Sequence, residues 1–160
     1  MNGWLIYEKE AYKRNTGFAH MLINDTKSMN IDLSLKINGE LDFSHLPDFA
    51  IQRTYDYALS QKLESLGIRV FNNSKVSYLC NDKYLTYDFF KDKNIPLMKT
   101  KLIASSCEAP FPFPFVVKPC GGHGGEGVYL VHTKEEYDTA LSALKGRRLI
   151  AQLPASDKGK

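Results

Sequence analysis

Between Phe115 and Val131 the chain reads FVVKPCGGHGGEGVYLV, with five glycines in the seven residues 121–127. Gly121, Gly122, Gly124, Gly125 and Gly127 leave a loop nearly free of side chains, and Lys118 stands just before it. Bare backbone can lie close over an anion and turn several N–H groups toward it. A two-residue turn would satisfy a plain hairpin, so this oversized loop beside a lysine points to phosphate binding. The duller account is a mobile tip with a surface amine. His123 is the one ring in the loop, and no second ligand at metal spacing accompanies it.

The run from Gly122 to Gly127, GHGGEG, matches the G-x-G-x-x-G pattern of dinucleotide sites. That fingerprint needs a helix starting at its last glycine, with the pyrophosphate on the helix N-terminus. Val128-Tyr129-Leu130-Val131 follows instead and reads as a strand. An NAD(P)-dependent oxidoreductase is therefore the weaker reading, and a strand after Gly127 would remove it.

Lys83 is the second notable lysine. In NDKYLTYDFFKDK, Asn81 or Asp82 reads as a helix cap, which puts Lys83 in the first turn. A cation there opposes the helix dipole unless it meets an anion. Asp82 and solvent could offset the charge, so the residue taken alone leaves both readings open. Arg53 stands at a strand end and could hold a substrate carboxylate, or pair with Asp56. Cys120 reads as an incidental small residue, with nothing clearly placed to activate a thiolate.

These residues need elements to position them. Gly3–Glu8, Ile31–Ile37, Asp48–Arg53 and Ile68–Asn72 read as strands. After a polar loop, Phe18, Met21, Leu22 and Met29 recur at helical spacing. Tyr55, Leu59, Leu63 and Leu66 form a second stripe that Gly67 should end. Strands alternating with helices predict a small parallel sheet, with ligands gathering beyond the carboxyl ends of its strands. A short helix and one starting near Asn81 follow, and Pro96 ends this part. Beyond it come strands in KTKLIAS and PFVVKP, joined by the stiff segment EAPFPFPF. VYLVHT is a strand, TKEEYDTALSALKG a helix capped by Thr133 and Glu136, and RRLIAQLP a last strand.

The chain has 160 residues, a net charge of +3 and 43% hydrophobic residues. Acids and bases are mixed and no basic stripe interleaves with aromatics, which argues against a nucleic-acid partner. No apolar run is long enough to span a membrane, and the N-terminus does not read as a signal peptide. Three scattered cysteines fit reduced thiols, so a cytoplasmic location is expected.

Four features in order resemble the ATP-grasp superfamily, and within it the RimK-like carboxylate–amine ligases. They are Asn81-Asp82-Lys83 opening a helix, Ile95-Pro96 before a strand, Val116-Val117-Lys118-Pro119 running into the loop to Gly127-Val128, and Ile150-Ala151-Gln152-Leu153. The resemblance implies an α/β chain in two parts. Residues 1–95 would be a small parallel-sheet, Rossmann-like pre-ATP-grasp domain. Residues 96–160 would be the α+β first subdomain of the ATP-grasp fold. Lys83 and Lys118 would contact nucleotide phosphates, and the loop Gly121–Gly127 would close over them. Gln152 and Leu153 would read the adenine edge through main-chain groups, between apolar walls from Val116, Ile150 and Ala151. The cofactors would be ATP and magnesium, and the substrates a carboxylate and an amine.

The resemblance also marks departures. The acidic residue that would hold the ribose has only Asp157 as a candidate here. The family's acidic magnesium ligands, and its arginine near the transferred phosphoryl group, have no counterpart in these residues, so no catalytic residue and no metal ligand is assigned. The chain thus reads as the front portion of a ligase, and an exposed half-domain face would favour self-association. The alternative is a non-catalytic nucleotide-binding module of the same fold.

Overall fold

A computed structural model describes residues 1–104 and 108–155. The chain divides into two compact units, Met1–Tyr78 and Leu79–Lys160. The first holds β1 (Asn2–Tyr7), α1 (Lys9–Lys27), β2 (Asp32–Ile37), β3 (Phe49–Gln52), α2 (Tyr57–Ser65) and β4 (Arg69–Phe71). Helix α3 (Ser74–Cys80) runs across the division. The strands form a parallel sheet in the order β2-β1-β3-β4.

Strand β1 is central, and residues of α1 and α2 cover its two faces, so its sequence from Gly3 to Tyr7 is continuously apolar. Trp4 and Ile6 pack with Leu59, Leu63 and Val70 on the α2 side. Leu5 and Tyr7 pack with Ala19 and Leu33 on the α1 side. The residues expected as a polar loop after β1 belong to α1, which bends at Asn15 (φ −122°, ψ 20°). There the Asn15 side-chain Nδ2 donates to the Ala11 carbonyl at 2.7 Å. The buried stripe of α1 is also rotated from the expected one. Tyr12, Ala19, Leu22 and Ile23 face the sheet, Leu22 as expected, whereas Phe18 and Met21 are exposed and Met29 lies past the helix.

Helix α2 starts at Tyr57 because Asp56 caps it, its Oδ1 accepting from the Leu59 N–H at 3.1 Å. Leu59 and Leu63 are buried as expected, while Tyr55 and Leu66 flank the helix and are exposed.

The second unit holds α4 (Lys83–Phe90), β5 (Thr100–Leu102), β6 (Phe115–Pro119), β7 (Tyr129–Val131), α5 (Lys134–Ala143) and β8 (Leu149–Gln152). Its sheet is antiparallel, in the order β5-β8-β6-β7. Phe115, Val117, Val131, Leu149 and Ala151 pack beneath Tyr137, Ala140 and Leu144 of the α5 segment. The proline-spaced connector joins this core. Phe113 stacks on Phe115 with ring centroids 5.1 Å apart, and Phe111 meets the same ring edge-on at 6.3 Å. Helix α4 falls on the second side of the division, although the sequence reading grouped it with residues 1–95. The reason is local: its first N–H, that of Lys83, donates to the Cys120 carbonyl at 2.8 Å.

Strand β7 follows Gly127 and pairs with β6, so no helix begins at the last glycine. The dinucleotide reading of GHGGEG is removed by its own criterion. Among the described residues no helix is long and apolar enough to cross a membrane.

Candidate functional site

The site grows from the alternation of β6. Phe115, Val117 and Pro119 are buried on one face, and Val116 and Lys118 take the other. Strand β8 runs antiparallel beside it, with Val116 opposite Gln152 and Lys118 opposite Ile150. Ile150 and Gln152 therefore share the Lys118 face. Ala151 pairs with Val117 and enters the core beneath α5, so it is not the wall expected of it.

The Lys118 Nζ donates to Gln152 Oε1 at 2.7 Å. The Gln152 Nε2 donates to Thr100 Oγ1 at 2.8 Å, and Thr100 Oγ1 donates to the Met98 carbonyl at 2.9 Å.

Lys83 arrives from α4. Asp82 is the N-cap, its Oδ1 accepting from the N–H groups of Tyr84 and Leu85 at 2.8 and 2.9 Å. Its other oxygen, Oδ2, takes the Arg148 guanidinium at 2.5 Å. Asp82 is thus engaged by the cap and by Arg148. The Lys83 Nζ donates to the carbonyls of Gly122 at 2.9 Å and Cys120 at 3.5 Å. Among the described residues neither Lys83 nor Lys118 forms an ion pair.

Two ammonium groups with neutral oxygen partners define the electrostatics. Burial holds the Lys118 amine below the ordinary lysine pKa, and Lys83 lowers it further. Burial, then Lys83, also holds His123 below its ordinary value. The Cys120 thiol is pushed up, first by burial and then by Asp82, with Arg148 and Lys83 opposing. That argues against a thiolate nucleophile.

The loop's glycines have separate physical reasons. Gly127 has φ +72°, and a Cβ there would lie 3.0 Å from Leu144 Cδ2 and 3.3 Å from Arg147 Nη1. Gly122 has φ +100°, and its Cβ would lie 3.1 Å from Arg147 Nη2. A side chain at either root of the loop would meet the arginine. Gly121 shows neither a positive φ nor a close neighbour. Weak turns, Glu126 N–H to the His123 carbonyl and Val128 N–H to the Gly125 carbonyl, both 3.3 Å, hold the tip.

Lys83, Lys118, Gln152 and the loop thus meet in one unit. The Leu153 N–H donates to the Lys99 carbonyl at 3.0 Å, because pairing with the β5 segment continues that far. Asp157 lies outside the described residues. Arg53 belongs to the first unit. It follows β3, and its guanidinium is exposed and sits 5.3 Å from the Phe18 ring. Asp56, the partner that the alternative reading offered it, caps α2. The sequence reading gave no role to Thr100, Arg147 or Arg148. The paired arginines after Gly146 were the visible signal for the last two, while Thr100 becomes relevant only through its pairing with Gln152.

Comparison with known proteins fits this geometry. Residues 80–153 match the ATP-grasp domain family. A D-alanine–D-alanine ligase of Petrotoga mobilis is 34% identical over 83 residues, 51% of this chain and 28% of that protein. An uncharacterized protein of Mycoplasma genitalium is 25% identical over 138 residues, 82% of this chain and 47% of that protein. The chain therefore spans half or less of the length of the curated relatives it matches. Among solved structures, a RimK domain ATP-grasp protein of Sphaerobacter thermophilus superposes with a TM-score of 0.77 at 18% identity, covering 99% of this chain and 66% of that one. The D-alanine–D-alanine ligase of Bacillus anthracis does so with 0.79 at 19% identity, covering 98% and 58%. Residues 80–153 thus match the ATP-grasp domain family, and the chain as a whole shares the fold of these ATP-grasp structures.

Proposed function

We propose that this chain binds ATP, with the phosphates at Lys83, Lys118 and the loop Gly121–Gly127, as the front portion of a carboxylate–amine ligase. The observation that carries the reading is the pair of ammonium groups beside the glycine loop, each held, among the described residues, by neutral oxygens. A phosphate would supply the missing counter-charge and relieve their repulsion. The face formed by Val116, Ile150 and the Gln152 carbonyl would lie along the base. Arg53, exposed at a strand end of the first unit, is our candidate for a substrate carboxylate.

In the chemistry proposed, a substrate carboxylate oxygen attacks the terminal phosphorus of ATP. The bond to the ADP oxygen breaks and an acyl phosphate forms. An amine then attacks the acyl carbon, phosphate leaves, and the new amide nitrogen gives up a proton. The lysines would hold the transferred group and neutralise its charge. Magnesium, when bound to the phosphates, would supply further charge neutralisation. Among the described residues no cluster of three His, Cys, Asp or Glu side chains could hold a metal ion, so no step is assigned through it. The names of the relatives support the ligase class.

Calorimetric titration with ADP tests the reading. ADP should bind, and Lys118→Ala should weaken it roughly tenfold or more, as loss of a charged hydrogen bond does. Equal affinity of native and variant proteins would reject the phosphate site.

A further inference from the structure

We propose that Thr100 is a positioning residue for Lys118, acting through the neutral amide of Gln152. This deepens the phosphate reading given above and, for its consequence on ligand binding, rests on it.

The geometry is directional. The Thr100 hydroxyl has one proton, and it goes to the Met98 carbonyl at 2.9 Å. Its lone pairs are then left for the Gln152 Nε2, which donates at 2.8 Å. That fixes which end of the amide faces Lys118: it is Oε1, 2.7 Å from Nζ. Without the hydroxyl, Nε2 loses its acceptor and the Lys118 ammonium alone holds the amide's orientation, since a flipped amide would present N–H groups to it. Thr100 is buried, with a relative exposure of 5%, and its place opposite Gln152 is set by the β5–β8 register. The relay is therefore built into the sheet rather than into a loop.

The choice of an amide also matters. A carboxylate at position 152 would place a counter-charge against Lys118 and compete with an incoming phosphate. Glutamine orients the ammonium and leaves its charge available. The two tasks, holding the amine and leaving it uncompensated, are met by one side chain whose orientation Thr100 sets.

The test reads Lys118 directly in nucleotide-free protein, from the 1H–15N resonance of its side-chain ammonium, alongside ADP and tripolyphosphate titrations. Thr100→Val keeps the shape and removes the hydroxyl. It should move the Lys118 resonance and weaken ADP binding roughly three- to tenfold, the range of one lost neutral hydrogen bond. Thr100→Ser should restore both, which a purely packing role would not predict. Gln152→Glu should weaken tripolyphosphate binding roughly tenfold or more while leaving the protein folded. Gln152→Met, which removes the acceptor, should move the resonance as Thr100→Val does and guards against a folding artefact at position 100. An unmoved Lys118 resonance in both Thr100→Val and Gln152→Met overturns the relay, whatever happens to ADP. If the resonance moves but the native protein binds no ADP, the relay stands and the phosphate reading fails.

Discussion

The side-chain amine of Lys83, at the first residue of α4, lies 2.9 Å from the carbonyl of Gly122, at the root of the glycine loop. A helix start and a loop nearly forty residues away are thereby fastened through one charged group. Lys83→Ala should release the loop and remove a phosphate partner together. ADP affinity should fall roughly tenfold, and amide exchange at residues 122–127 should quicken in the nucleotide-free protein. Mass-spectrometric exchange reports the second effect independently of ligand.

Two glycines in the same loop should respond differently. Gly124→Ala meets open space but must hold φ +65°, so it should cost about 1 kcal/mol or somewhat more. Gly127→Ala adds a contact at 3.0 Å with Leu144 to the same backbone cost, and should destabilise by about 2–3 kcal/mol. Denaturant unfolding of the two variants side by side checks the ranking.

Binding should take up protons at alkaline pH. The folded state holds the Lys118 pKa below the ordinary lysine value. Its charged form is thus disfavoured by folding at every pH below that depressed pKa. The penalty is relieved as pH rises through the depressed pKa toward the ordinary value. A bound phosphate favours the ammonium and reverses the shift. Titration at about pH 9, approaching the lysine range, in two buffers of different ionisation enthalpy should show net proton uptake with ADP. Lys118→Ala should remove that uptake.

Asp82 serves α4 and Arg148 at once. Asp82→Ala loses two capping contacts and the guanidinium's partner, and should cost about 1–2 kcal/mol. Asp82→Asn should recover the capping part only, and thermal unfolding of both variants separates the contributions.

Much of this was legible in the sequence, because short-range chemistry decided it. The Thr133 cap, the buried β1, the strand after Gly127 and the shared face of Val116 and Lys118 follow from local pattern. What could not be read depends on register and rotation. The α1 stripe was misplaced because Phe18 and Met21 are apolar yet exposed, while Ala19 makes the buried contact. Ala151 and Ile150 are adjacent and both apolar, and only the pairing with β6 shows which one faces the lysine. Thr100 carries no signal of its own until β5 is laid against β8.

The central place of β1 has a consequence for how the first unit assembles. Its neighbours in the sheet are β2 and β3, both made later, with α1 and a long connection between. Strand β1 has one backbone edge unpaired until β2 is made and the other until β3 arrives. In the second unit β6 and β7 are joined through the glycine loop alone and can close on a microsecond scale. Non-local parallel pairing is the slower event. The β6–β7 hairpin that carries Lys118 and the loop should therefore acquire structure sooner than the parallel sheet of the first unit.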